Sequence, residues 1–352
     1  MRLGTGRLAA TVVLTVMAVT GCAGPSGTVP ATTPAPAGYA PVTITDCHGH
    51  QSTFTAAPQR AVTLTPSVAE MMGWLGLLDR LVGVGSPPIP GTMPPAFDAE
   101  MQRLPALSGR YTPGSYKPVP REQLLAVQPE VVLGAFASNF APGSPGTQDD
   151  LARSGISSYF ALSNACPSQT PGSDFALLAQ DLRNIAAIFG VAERAEQLIH
   201  RMRTTTAELS TALAGATRPR VFMFEFDEGV PTPMAAGRTQ NVHSLIEMAG
   251  GRNIFADLAQ PYRNVSWEAV AERDPEAMLV VIYDRGNAAD NDAAWARAET
   301  YLREHPLLRG TAAMRANRPF IRALYEQVCQ AGVRNADAVQ MIARHLHPDR
   351  FR

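Results

Sequence analysis

The chain has 352 residues, 30 Lys and Arg against 31 Asp and Glu, a formal net charge of −1, and 45% hydrophobic residues. A near-neutral chain with dispersed basic residues lacks the electrostatic footprint of a nucleic-acid binder, and its length allows one large core or two moderate ones. Its four cysteines form no CxxC and HExxH is absent, which argues against a structural zinc site or a zincin.

MRLGTGR places Arg2 and Arg7 before the apolar run LAATVVLTVMAVT, which has signal-peptide length and is too short to span a bilayer. The run stops at Val19-Thr20-Gly21-Cys22, which resembles the bacterial lipobox. Residues 1–21 are then a lipoprotein signal peptide and Cys22 the lipidated new N-terminus; an ordinary secretory signal is the alternative. Residues 22–41, built largely from Pro, Ala, Gly, Ser and Thr, have too little apolar side chain to repay their ordering and read as a flexible tether. The expected location is outside the cytoplasmic membrane, anchored to its outer face.

From residue 42 to 191 short β-rich runs alternate with helical patterns. Strands are expected at VTIT (42–45), STFT (52–55), RAVTLT (60–65), LVGVG (81–85), VVLGA (131–135) and ISSYFA (156–161). Helices are expected near 67–78, 121–127 and 147–154, with a hairpin turn at TDCHGH. Residues 192–215 contain no Pro and no Gly before Gly215, and Ala195, Leu198, Ile199, Met202, Leu209 and Leu213 recur at helical spacing. Such a helix extends roughly 35 Å. Residues 216–352 repeat the plan, with strands at RVFMFEF, AMLVVIYD and PFIRALY and helices near 241–249, 266–273, 292–303 and 332–346. The predicted fold class is α/β, two lobes with mainly parallel sheets joined by a single long α-helix. A surface helix on one larger sheet is the alternative.

No GxSxG elbow follows a strand and no GxGxxG opens a helix, so the residues give no support for a hydrolase or a dinucleotide enzyme. LVGVG runs into SPPIPG, which cannot start a helix promptly. The corner TPSVAE reads locally as a capping box, with Ser67 and Glu70 exchanging bonds with each other's backbone amides. Glu268 in VSWEAV reads as a first-turn acid placed against the helix dipole.

Two longer blocks, RAVTLTPSVAEMMGWLGLLDRLVGVG and AAGRTQNVHSLIEMAGGRNIFADLAQPYRNVSWEAVAERDPEAMLVV, resemble the two lobes of the helical-backbone substrate-binding proteins of ABC importers, of the ferric siderophore and cobalamin type. The order of elements matches from about residue 42 to 346. The resemblance implies a non-enzymatic, monomeric protein without a resident cofactor. It also implies a bulky small-molecule ligand in the inter-lobe cleft and an ABC permease dimer as partner. In cobalamin-binding members one glutamate per lobe docks on permease arginines, and the matching positions are Glu70 and Glu268.

Ligands of such sheets sit beyond the carboxyl ends of the strands. That rule selects Phe136 and Ser138, Asp227 and Glu228, Arg238, Tyr262 and Arg263, Tyr283, and Tyr325; Arg110, Tyr111 and Tyr116 extend the set from a proline-rich loop. Aromatic rings and arginines together suit a flat or polyoxygenated ligand with negative charge. A ferric siderophore fits best. Cobalamin, haem, another bulky cofactor precursor, or a surface sensor or adhesion module of the same fold are the alternatives. His48, His50 and His243 are isolated, so a metal is expected to arrive as a chelate. Cys47 and Cys166 both fall in the first lobe and are expected to form a disulfide, leaving Cys329 free.

Overall fold

Strand and helix alternate because each short apolar run is followed by an amphipathic segment, which covers a parallel sheet on both faces. The computed structural model describes residues 39–109, 117–143, 145–166, 175–226 and 232–351. The expected signal peptide, Cys22, most of the expected tether, Arg110, Tyr111, Tyr116, Asp227 and Glu228 lie outside the described residues.

The first lobe opens with a hairpin of β1 (Val42–Thr45) and β2 (Gln51–Phe54). Its turn is organised by Asp46, whose Oδ1 accepts the amides of His48 and His50. Then follow β3 (Ala61–Thr63), α1 (Pro66–Trp74), β4 (Leu81–Val84), β5 (Val131–Gly134) and β6 (Ser157–Phe160). These four strands form a parallel sheet in the order β4-β3-β5-β6. Successive residues of β5 serve opposite faces. Val131 and Leu133 join the core that holds Met71 and Leu75, while Val132 packs with Leu124, Leu151 and Ile156. A disulfide joins Cys47 to Cys166, with their Cα atoms 5.9 Å apart, and ties the hairpin to the segment after β6. Cys329 is free and buried.

Two long helices follow the first sheet, where the pattern predicted one. In α2 (Ala176–Phe189) nine of fourteen residues are buried, including Asp181 and Asn184. Its burial wraps too far round for a single apolar stripe to mark it as a surface helix. The connecting helix α3 (Ala192–Ala212) feeds both lobes: Ala195, Leu198, Ile199 and Met202 enter the first core, and Leu209 enters the second.

The second lobe comprises β7 (Arg220–Glu225), β8 (Met234–Ala236), α4 (Asn241–Met248), β9 (Arg252–Asn253), β10 (Tyr262–Asn264), α5 (Trp267–Glu272), β11 (Ala277–Ile282), α6 (Ala288–Glu304), β12 (Phe320–Leu324) and α7 (Asn335–Leu346). Its parallel sheet runs β12-β11-β7-β9, and β8 and β10 form a separate antiparallel ribbon. Strands of two and three residues carry too few positions to show alternation, which is why β8, β9 and β10 escape a periodicity reading. Along β11, Leu279 and Val281 face one core and Met278 and Val280 the other. Among the described residues no helix is long and apolar enough to cross a membrane.

The disulfide closes a span of 119 residues, so its loss should act mainly through the unfolded chain. Replacing Cys47 and Cys166 by Ser is expected to lower stability by about 2–4 kcal/mol, measured by denaturant unfolding beside the wild type.

Candidate functional site

The carboxyl ends of strands from both lobes meet around one cavity of about 270 Å3. From the first lobe come Leu64–Pro66 after β3, residues of the Ser86–Met93 loop after β4, and Phe136 and Ser138 after β5. The turn carrying the last two is fixed by buried Asn139, whose Oδ1 accepts the amides of Ala135 and Phe136 at 2.8 and 2.9 Å. From the second lobe come Tyr283 and Asp284 after β11, and Tyr325, Glu326 and Gln330 after β12. The two tyrosine rings stack with centroids 4.5 Å apart, and the Tyr283 hydroxyl donates to Glu225 Oε1 at 3.0 Å. Beside them, the Asp284 amide donates to Glu326 Oε2 at 3.1 Å.

Among the described residues, the ionisable groups lining this cavity are acids and tyrosines, with no arginine, lysine or histidine. Asp284 is buried, and its Oδ1 accepts from the Gly286 amide and Asn291 Nδ2, each at 2.9 Å. Burial pushes the Glu326 carboxyl up to about 7, and the Asp284 charge adds to the rise; backbone amides and Arg334 oppose it.

At the cavity's edge the lobes meet backbone to backbone. Gly91 and Gly286 both adopt left-handed φ, +85° and +83°. A Cβ on Gly91 would collide with the Gly286 carbonyl, and one on Gly286 with the Pro90 carbonyl. Only glycine permits this approach.

Phe136, Ser138, Tyr283 and Tyr325 are therefore brought together, and Arg238, Tyr262 and Arg263 are not among the lining residues. The reason is topological: β8 and β10 form a ribbon outside the main sheet, so the residues after them do not stand at a parallel-strand end. Arg238 is exposed and lines a smaller crevice of about 50 Å3 with Ser163 and Phe175. Arg263 is exposed on β10. Tyr262 packs on the second core, where burial, with Cys329 and Tyr325 beside it, pushes its hydroxyl well up. Of the expected arginines, Arg238 and Arg263 stand away from this cavity, and the charged groups among its described lining residues are Asp284 and Glu326. Each acid directly follows a tyrosine that the strand-end rule selected, and that adjacency is the signal that could have found them.

Glu70, matched to a docking acid, is paired within the chain in this structure. Glu70 is 5% exposed, and its carboxylate accepts from Arg334 Nε at 2.8 Å, from Arg334 Nη2 at 2.6 Å and from Trp74 Nε1 at 3.0 Å. The Arg334 guanidinium also donates to the Thr92 carbonyl at 3.2 Å. In this arrangement the acid is not presented at the surface. The capping box fails, because Thr65 is the N-cap, Pro66 begins α1, and Glu70 lies beyond the first turn. Glu268, in contrast, is exposed in the first turn of α5, which Ser266 caps by accepting the Ala269 amide.

The model of the family described as periplasmic binding protein matches residues 62–321. The chain belongs to the periplasmic binding protein family. The binding protein is 27% identical over 225 residues to the vitamin B12-binding protein of Photorhabdus laumondii subsp. laumondii, covering 64% of this chain and 71% of that one. Its fold is similar to that of a periplasmic binding protein from Veillonella parvula (TM-score 0.73, 24% identity, 88% and 99% of the two chains). It is also similar to the ABC-type Fe3+-hydroxamate transport protein of Saccharomonospora viridis (TM-score 0.71, 24% identity, 87% and 99%). Both comparisons carry the two-lobed α/β architecture.

The raised Glu326 has a consequence for stability. Its folded value of about 7 lies above the ordinary 4.5, so its contribution is fully present below about pH 4.5 and is lost as pH rises through 7. Relative to Glu326→Gln, the wild-type binding protein should lose up to about 3 kcal/mol across that window. Paired melting curves at pH 4.5, 6 and 8 check this.

Proposed function

We propose that the chain is the ligand-capturing component of an ABC importer and takes its ligand in the cavity between the lobes. One observation carries the reading: strand ends from both lobes deliver Phe136, Ser138, the stacked pair Tyr283 and Tyr325, Asp284 and Glu326 to a single cavity. Residues 1–21 act as the signal peptide, Cys22 carries the lipid, and 22–41 tether lobes 42–191 and 216–352, joined through 192–215, to the outer face of the membrane. The disulfide supports export, since such bonds persist in oxidising compartments.

The ligand on this reading is a ferric siderophore of neutral or cationic periphery, for which the hydroxamate class is the natural chemistry. Negatively charged chelates are disfavoured, because the described lining sets carboxylates against them with no cation among the described residues. The cavity lies below the roughly 300–1,000 Å3 of drug-sized sites, so a whole chelate enters only when the lobes part at Gly91 and Gly286. Tryptophan fluorescence titration against ferric hydroxamates, ferric catecholates, haem and cobalamin tests the reading. Submicromolar affinity confined to a hydroxamate is expected; binding confined to cobalamin or haem would overturn the siderophore assignment.

Glu268 is the docking acid on this reading, supported by its exposure on α5. Glu268→Arg is expected to reduce ligand uptake in cells at least about tenfold, the loss of one favourable charge pair replaced by a repulsive one. Ligand affinity of the purified variant should stay within twofold of the wild type, roughly the scatter of a distant substitution. Equal loss of both would assign Glu268 a structural role instead.

A further inference from the structure

The charge of the cavity has a specific cause and a specific complement. Among the described residues neither Asp284 nor Glu326 has a basic side chain within ion-pair range, and Arg334 is held by both oxygens of Glu70 and by the Thr92 carbonyl. The carboxylates stand at adjacent strand ends, beside the stacked rings of Tyr283 and Tyr325 and across from Phe136, Ile89 and Met93. An anion brought here meets like charge. A polyol needs donors and acceptors on every side, and the first-lobe wall sets Leu64, Ile89, Met93, Phe136 and two prolines among the hydroxyl residues Thr65, Ser86, Thr92 and Ser138, so it is the more apolar of the two walls. A cation with an apolar or planar body satisfies both walls, through charge-assisted hydrogen bonds on one side and ring faces beside them.

We propose that the cavity recognises a protonated amine, the ammonium group held by Asp284 and Glu326 and the attached alkyl or aromatic stem seated against Tyr283, Tyr325 and Phe136. The ligand class is then an amine-bearing molecule: a compact organic cation, or a larger chelate that inserts an amine-terminated arm. This inference rests on the ligand-capture reading and narrows it. A bound ammonium also offsets the cost that burial imposes on the ionised Glu326, around which Asp284, Glu225, Tyr325, Cys329 and Arg334 are the facing polar and charged groups.

Calorimetric titration of the full mature chain decides the matter. The probes are ferric trihydroxamates ending in a free primary amine and compact arylalkylamines, each beside its N-acetyl counterpart of matched shape and no charge. The expected result is that an amine binds about tenfold or more tightly than its acetylated partner, the discrimination of a desolvated charge-assisted bond. That ratio should fall toward one in Asp284→Asn/Glu326→Gln, and in Glu326→Gln alone should the double variant not fold. Equal or tighter binding of the acetylated partner would overturn the amine inference while leaving ligand capture in place. Absence of binding by every amine and every acetylated partner, with haem and cobalamin binding normally, would likewise overturn it; failure of all ligands would overturn the capture reading as well.

Discussion

The arrangement of the two lobes turns on the buried pair of Glu70 and Arg334. One partner sits on α1 of the first lobe and the other immediately before α7 of the second, 264 residues apart. Neither finds an equivalent partner within its own lobe. Removing one member of such a pair is expected to cost about 3–5 kcal/mol, because it strands a buried charge, although the pair itself gains little over an apolar isostere. Its effect is therefore selective more than stabilising. The fork of Arg334 meets both carboxylate oxygens and its third nitrogen meets the Thr92 carbonyl, so a sliding displacement of the lobes breaks three bonds together. Thr92 lines the cavity, which carries the constraint directly into the ligand site.

Strand register does the rest of the positioning. Ile282 of β11 pairs with Leu324 of β12. The residues that follow these strands are Tyr283 and Tyr325, whose rings stack, and next come Asp284 and Glu326, the Asp284 amide donating to the Glu326 carboxylate. A single register thus sets rings beside rings and acids beside acids. Burial raises the Glu326 carboxyl, and the neighbouring Asp284 charge adds to the rise. The apolar wall facing them comes from loops of the first lobe, so the two halves of the site differ in chemistry because they come from different lobes.

Much of this was legible from residues alone. The strands VVLGA and AMLVVIYD announce themselves as apolar runs of buried parallel strands, and the helix from Ala192 shows its period without interruption. Phe136, Ser138, Tyr283 and Tyr325 follow from the strand-end rule. At the site, what local pattern did not place depends on contacts remote in sequence. Glu70 resembles an exposed docking acid until Arg334 is brought against it. Arg238 and Arg263 resemble site residues until β8 and β10 pair with each other outside the sheet. Local pattern carries the charge of a side chain and the period of a segment, and it does not carry which distant group will neutralise that charge.

The loop closing the cavity is braced on several sides, and this limits how the site can open. The Asp98 carboxylate accepts the amides of Gly91 and Met93, Gln102 Nε2 donates to the Pro88 carbonyl, and Arg334 donates to that of Thr92. Three of these four bonds lie within the first lobe, so the loop moves with its lobe and does not swing as a separate lid. Opening then means displacement of one lobe from the other, with the Gly91 and Gly286 backbones parting as the Arg334 bonds to Glu70 and Thr92 break. The helix α3, packed into both cores by Leu198 and Leu209, resists large excursions. Access to the cavity is in this way tied to the same inter-lobe contacts that fix its shape, and a partner gripping both lobes would act on the ligand by working against the Glu70 and Arg334 pair.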